Sequence, residues 1–177
     1  MSLHTSSSDP HADLKRRTAS SFAYEWKRFD TPPEKMEDNF RGYFQFFSEG
    51  FFCGKRVLEI GSGMGRHTFY LARYAREVVA CDLGEAIEVT RKNTRRCGNV
   101  RYLRADIYAL PFRKESFDFA CAIGVLPCVP DPEAALFHQR QHPVHPRRRP
   151  RQPPRGGPGR PRPAVHEGGR GVVPGPR

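Results

Sequence analysis

VLEIGSGMG, residues 57–65, carries a short apolar run into three glycines at alternate positions, Gly61, Gly63 and Gly65. Val57, Leu58 and Ile60 are the side chains of a buried strand, interrupted by one acid, Glu59. Glycines at that spacing let the backbone turn sharply and approach a ligand closely. A helix opening at such a turn directs its N-terminus at an anion. Strand, glycine turn and helix form the expected centre of the molecule.

Outward from this centre, strands and helices alternate. The pattern predicts strands over 56–60, 77–81, 100–105 and 117–123. Between them it predicts a helix over 64–75 and another with Leu83, Ala86, Ile87 and Thr90 on one face, closed by Gly98 as a C-cap. Asp131 and Pro132 supply the N-cap and first turn of a further helix. Such alternation implies an α/β fold, a Rossmann-like, doubly wound parallel sheet covered on both faces, with ligands at the carboxyl ends of its strands.

Three acids fall at or beside those ends, namely Glu59, Asp82 and Asp106. Asp82 is placed to accept the hydroxyls of a ribose, or to cap the helix that starts at Leu83. Asp106 is placed to accept an exocyclic adenine amine, or to close a local turn through its own side chain. A dinucleotide turn reads GxGxxG, and Arg66 stands where its third glycine belongs. The turn here is ExGxGxG, at whose helix N-terminus a carboxylate suffices and no pyrophosphate is required.

Upstream, residues 1–21 are polar and serine-rich and are expected to be a disordered lead-in. SFAYEWKRFD then alternates Phe22, Tyr24 and Trp26 as an extended segment would. Thr31 and Glu34 make a capping box for a helix with Met36, Phe40, Tyr43, Phe44 and Phe47 on one stripe. Within 22–51 this aromatic lead-in and helix either pack on the sheet domain or roof its ligand pocket.

The net charge of +11 is unevenly held. Residues 1–136 carry 20 Lys or Arg against 18 Asp or Glu, whereas residues 137–177 carry 10 Arg against Glu167 alone. The same tail holds 10 of 17 prolines, 7 of 16 glycines and no lysine, too little apolar surface to offset the entropy of ordering it. Cys53, Cys81, Cys97, Cys121 and Cys128 show no CxxC pair and read as reduced, mostly buried thiols of a cytoplasmic protein. Neither an apolar leader nor a membrane-spanning run is present in the sequence.

VLEIGSGMGRHT, VVACDLGEAIEVTRKN, RADIYALPFRKESFDF and AIGVLPCVPDPEAAL, in this order and spacing, resemble the successive motifs of class I S-adenosylmethionine-dependent methyltransferases, in particular the type 11 or UbiE-like branch. The resemblance covers about residues 52–136, the N-terminal half of that family's seven-stranded sheet. It implies S-adenosylmethionine as cofactor and a small-molecule methyl acceptor. It further implies that Glu59, Gly61, Ser62, Gly63 and Gly65 surround the methionine part. Asp82 and Leu83 would take the ribose and adenine, Asp106 and Ile107 the adenine, and Ile123 and Gly124 the floor beside the sulfonium. Many relatives carry GVLHHL where this chain has GVLPCV, so Pro127 and Cys128 replace a histidine pair and no catalytic base is assigned. His67, beside the glycine turn, is a substitute base or, more plainly, a helix-surface histidine.

After Leu136 the family's fifth strand is missing and the basic tail begins. An arginine-rich nucleic-acid binder, a solvated linker and a shifted reading frame all give such a tail, and the frame shift explains both the odd composition and the lost strands. A chain cut short in this way is expected to leave the fourth strand's edge unpaired and one sheet face without helices. His138, His142 and His145 are read as chance residues of the tail and not as a metal site. Two further functions stay open, a nicotinamide-dependent oxidoreductase and a non-enzymatic nucleic-acid binder.

Overall fold

The computed structural model describes residues 9–28 and 32–140. The chain divides into two units, Met1–Arg147 and Arg148–Arg177, and the second lies outside the described residues, as does the expected behaviour of the tail from residue 141 on. Element order is α1 (Ala12–Arg28), α2 (Glu37–Tyr43), β1 (Arg56–Ile60), α3 (Arg66–Tyr74), β2 (Glu77–Asp82), α4 (Ala86–Asn93), β3 (Val100–Arg104), β4 (Phe119–Ala122) and α5 (Pro132–Arg140).

The four strands form one parallel sheet in the order β3-β2-β1-β4. Leu58 sits opposite Val79 on β2 and Ala120 on β4, so β1 is an interior strand. Successive side chains alternate between faces, and two cores result. Val57, Val78 and Ala80 pack with Phe40, Phe44, Tyr70, Leu71 and Ile87 beneath α2, α3 and α4. Leu58, Ile60, Val79 and Cys81 pack with Ile107, Phe117 and Ala135 on the other side. Each core residue contributes about 1.5–3 kcal/mol of transfer free energy when fully buried. The order in which strands are added reverses between β1 and β4, and the crevice beyond the carboxyl ends of these two parallel strands is the place where such sheets take ligands.

The α/β expectation is met, with three local differences. Residues 12–28 are one helix, where a disordered lead-in and an extended aromatic segment were expected. No glycine or proline interrupts this stretch, and its inward residues recur at helical spacing while Tyr24 faces solvent at 64% exposure. α4 ends at Asn93, not at Gly98, because the Thr94 hydroxyl caps back onto the Thr90 carbonyl at 2.8 Å and the chain turns there. α2 is one short helix preceded by a 3₁₀ turn at Pro33–Lys35, and the Thr31 half of the expected capping box lies outside the described residues.

α5 supports the Asp131 cap, since the Asp131 Oδ1 accepts from the Ala134 amide at 2.9 Å. Because Ala135 of α5 reaches the second core, both sheet faces carry helices among the described residues, contrary to the expectation of a bare face. Among those residues β4 pairs with β1 alone. Cys81 and Cys121 are buried and burial raises both thiols, Cys81 to about 12, while Cys53 is exposed. No described helix is long and apolar enough to cross a membrane, and no group of three metal-ligating side chains occurs among the described residues.

Candidate functional site

A cavity of about 280 Å³ opens at the carboxyl ends of the strands, near the small end of the roughly 300–1,000 Å³ typical of ligand pockets. One wall is the glycine turn, and the structure shows how α4 holds it. The Thr90 hydroxyl donates to the Gly63 carbonyl at 2.8 Å, and the Asn93 amide donates to the Met64 carbonyl at 2.9 Å. With its one proton so used, Thr90 accepts from Ser62 Oγ at 2.9 Å. Gly61 and Ser62 donate their backbone N–H groups to the Cys81 carbonyl on β2.

Gly61 has φ +73°, and a Cβ there would lie 2.2 Å from Val125 Cγ2. Gly63 has φ +56°, and a Cβ there would meet the Trp26 indole at 3.0 Å. These two glycines let the turn pass close under the loop after β4 and under α1. Gly65 serves a different purpose. Its missing Cβ admits Thr90 and Thr94 at about 3.1–3.2 Å, so it fits α3 against α4.

Asp82 ends β2 and accepts from the Gly63 amide at 2.9 Å and from the Gly84 amide at 3.2 Å. Burial raises its pKa against the lowering effect of those backbone donors. An ionised carboxylate offers about four lone-pair sites, so two hydroxyls can still be accepted. Asp106, just past β3, accepts from the Tyr108 amide at 3.0 Å, the local turn foreseen for it. Its other oxygen accepts from Lys15 Nζ of α1 at 2.8 Å. Lys15 also pairs with Asp9 at 2.8 Å and lies 4.3 Å above the Tyr108 ring. Burial opposes the Lys15 charge, but the bonds to Asp106 and Asp9 outweigh it and raise the pKa.

Of the residues singled out in the sequence, Gly61, Ser62, Gly63, Asp82, Leu83, Asp106, Ile107, Ile123 and Gly124 line this one cavity. Glu59 and Gly65 are not among the lining residues. Glu59 follows the β-strand alternation away from Ile60, is 2% exposed and accepts a short hydrogen bond from the Thr68 hydroxyl of α3. Burial pushes its pKa up to about 8, with the nearby Asp82 charge adding to the rise, so near neutral pH it is mostly a protonated strut under the turn.

α1 lines the cavity with Ala19 and with Lys15, Thr18, Phe22 and Trp26, of which only the two aromatics figured in the sequence reading, as an extended segment. The spacing of three, four and four from Lys15 to Trp26 is helical, a signal hidden by the alternation of Phe22, Tyr24 and Trp26. The aromatic lead-in therefore does form part of the cavity wall, as α1, while Phe40 and Phe44 of α2 pack in the core. His67 is not a surface histidine. It is 4% exposed, lines the cavity, and burial with the adjacent Arg66 charge lowers its pKa to about 4.

Two carboxylates at adjacent strand ends, a glycine turn without Cβ atoms and an aromatic wall suit a ligand with a ribose, a purine and a small charged end. The domain family described as "Methyltransferase domain" matches residues 58–139. The chain is 38% identical over 86 residues to the ubiquinone biosynthesis O-methyltransferase of Hahella chejuensis, covering 47% of this chain and 36% of that protein. It is 36% identical over 67 residues to the demethylmenaquinone methyltransferase of Clavibacter sepedonicus, covering 37% of this chain and 27% of that protein. The chain thus spans about a third of the length of the curated relatives it matches. The solved DhpI complex with SAH superposes with a TM-score of 0.59 at 25% identity, covering 73% of this chain and 63% of that one. Sequence motifs, sheet order and these likenesses agree: residues 58–139 match the methyltransferase domain family, and the described residues carry the Rossmann-like fold of class I S-adenosylmethionine-dependent methyltransferases.

Proposed function

We propose that this chain binds S-adenosylmethionine in the cavity and transfers its methyl group to a small-molecule acceptor in the cytoplasm. The observation that supports this most is the meeting of Asp82, Asp106 and the glycine turn in one cavity wall. In this reading Asp82 accepts the ribose hydroxyls and Leu83 packs on the adenine. Asp106 accepts the adenine amine, with Ile107 beside it. Gly61, Ser62 and Gly63 face the methionine part, and Ile123 and Gly124 form the floor where donor and acceptor meet.

The cofactor supplies a methyl group already activated by a positively charged sulfur. What remains for the protein is alignment and exclusion of water, and a base is needed only for a nucleophile that arrives protonated. Trp26 and Phe22 of α1, with ring centroids 6.5 Å apart, and Val125 and Val129 close the apolar side of the cavity. The likeness to the two curated relatives supports an acceptor from quinone biosynthesis.

The test is the affinity for S-adenosylhomocysteine of Asp82→Ala and Asp106→Ala. Hydrogen bonds to a charged acceptor are worth about 1.5–3 kcal/mol, so each change is expected to weaken binding by roughly tenfold to a hundredfold. Unchanged affinity in both variants contradicts the assignment.

A further inference from the structure

His67 holds an unusual position in the cavity wall. Both ring nitrogens are buried without a hydrogen-bond partner among the described residues. The ring is enclosed by aromatic side chains, with centroids 5.1 Å from Tyr43, 5.9 Å from Phe44 and 6.4 Å from Phe40. A neutral imidazole carries one donor and one acceptor nitrogen, and each one sealed from water without a partner carries an uncompensated desolvation cost. Among the described residues nothing recovers that cost, since there the ring braces no backbone group and pairs with no acid. Buried polar groups of this kind point to a partner that arrives with a ligand.

The enclosing rings differ in how firmly they are held. Phe40 and Phe44 are 5% and 4% exposed and belong to the core, whereas Tyr43 stands edge-on to His67 and is 52% exposed. His67 itself lines the cavity, so a ligand there lies beside the imidazole. Charge narrows the class of ligand. Arg66 precedes His67 and lines the same cavity, so an ammonium group is disfavoured. Burial lowers its pKa, so the ring is neutral, with one donor and one acceptor nitrogen. A neutral hydroxyl can donate to the bare nitrogen or accept from the protonated one, whereas a carboxylate can only accept.

We propose that His67 is the residue that binds a hydroxyl group of the methyl acceptor. The inference rests on the methyltransferase reading above and adds to it the acceptor's functional group and the side chain that holds it. His67 makes one hydrogen bond to that hydroxyl within the cavity that it lines together with Ile123, Gly124 and Asp82.

The test uses the full chain labelled with ¹⁵N in its histidines, with phenol as the smallest hydroxyl-bearing ring and toluene as the matched ring without the hydroxyl. His67 nitrogen resonances are identified by their loss in His67→Phe and in His67→Gln. Phenol is titrated with and without saturating S-adenosylhomocysteine, whose own binding is measured in parallel. The expected result is a phenol-dependent shift of a His67 ring nitrogen that toluene does not produce. Phenol affinity should fall by about tenfold in His67→Phe, the size of one net hydrogen bond, and recover in part in His67→Gln. S-adenosylhomocysteine binding with no phenol-specific shift at His67 overturns this inference and leaves the cofactor reading intact. Failure of S-adenosylhomocysteine to bind overturns the cofactor reading, and the cofactor-free phenol titration still decides for or against His67. Because the shift is read on the unaltered protein, misfolding of a variant does not remove the test.

Discussion

Lys15 and Asp106, 91 positions apart in sequence, meet in a 2.8 Å ion pair that fastens α1 to the end of β3. The pair joins the stretch least legible in the sequence to the acid assigned to the adenine. Lys15 also contacts Asp9 and the Tyr108 ring, so one side chain ties the start of α1 to the cavity wall at two points, Asp106 and Tyr108, and to Asp9 just ahead of the helix.

Lys15→Met is therefore expected to free α1 from the cavity. The side chains of the pair are 14% and 26% exposed, so solvent screening is incomplete, and a loss of roughly 1–2 kcal/mol is expected in urea unfolding. Limited proteolysis should cut within residues 12–28 sooner than in the unaltered chain. Equal cleavage rates and equal unfolding midpoints speak against the latch.

Gly61→Ala should damage the fold more than its size suggests. The new methyl would stand 2.2 Å from Val125 Cγ2, at a backbone φ of +73° that L-residues rarely adopt. A loss of about 2–4 kcal/mol is expected, and adding Val125→Ala should restore only the part due to the clash. A melting temperature unchanged in Gly61→Ala contradicts the close passage of the turn beneath the loop after β4.

Glu59 and His67 should give stability opposite dependences on pH. The folded Glu59 carboxyl has its pKa raised to about 8 by burial, so its unfolded form releases a proton first, and stability falls as pH rises from about 4.5 to 8. The folded His67 has its pKa lowered to about 4, so its unfolded form takes up a proton first, and stability falls as pH drops from about 6.5 to 4. Glu59→Gln keeps an acceptor for the Thr68 hydroxyl and cannot ionise. It should flatten the decline between pH 4.5 and 8 in urea titrations, and an identical decline in the variant excludes Glu59 as its source.

The reading frame offers a prediction outside the protein. Family likeness runs to residue 139 and α5 to Arg140, a few residues past Leu136 where the composition changes. Translating the other two frames of the coding sequence from about codon 137 onward is expected to yield a Pro-Gly-Gly turn followed by an apolar strand. Their absence from both frames rejects the frame shift.

Much of the site could be read from sequence because strand ends are fixed by local pattern. Once β2 and β3 were placed by their apolar runs, Asp82 and Asp106 had to lie at one rim, and Gly61 and Gly63 at the turn facing them. Glu59 stands outside the cavity lining by one residue of alternation, since its neighbour Ile60 faces the cavity and it does not. Gly65 also stands outside it, because a glycine that admits a helix reads like one that admits a ligand. α1 stayed hidden because its cavity face mixes Lys15, Thr18 and Ala19 with two aromatics and shows no apolar stripe. The burial of His67 depends on Phe40 and Phe44 arriving from an element 20 or more residues away, which no local pattern records.

The central claim is that Asp82, Asp106 and the glycine turn form an S-adenosylmethionine site. Calorimetric titration of the purified chain with S-adenosylhomocysteine, and separately with a nicotinamide dinucleotide, tests it most directly. The expected result is saturable binding of S-adenosylhomocysteine at one site per chain, weakened roughly tenfold to a hundredfold in Asp82→Ala, and no heat with the dinucleotide. Binding of the dinucleotide alone, or of neither ligand by a chain that is folded, contradicts the claim.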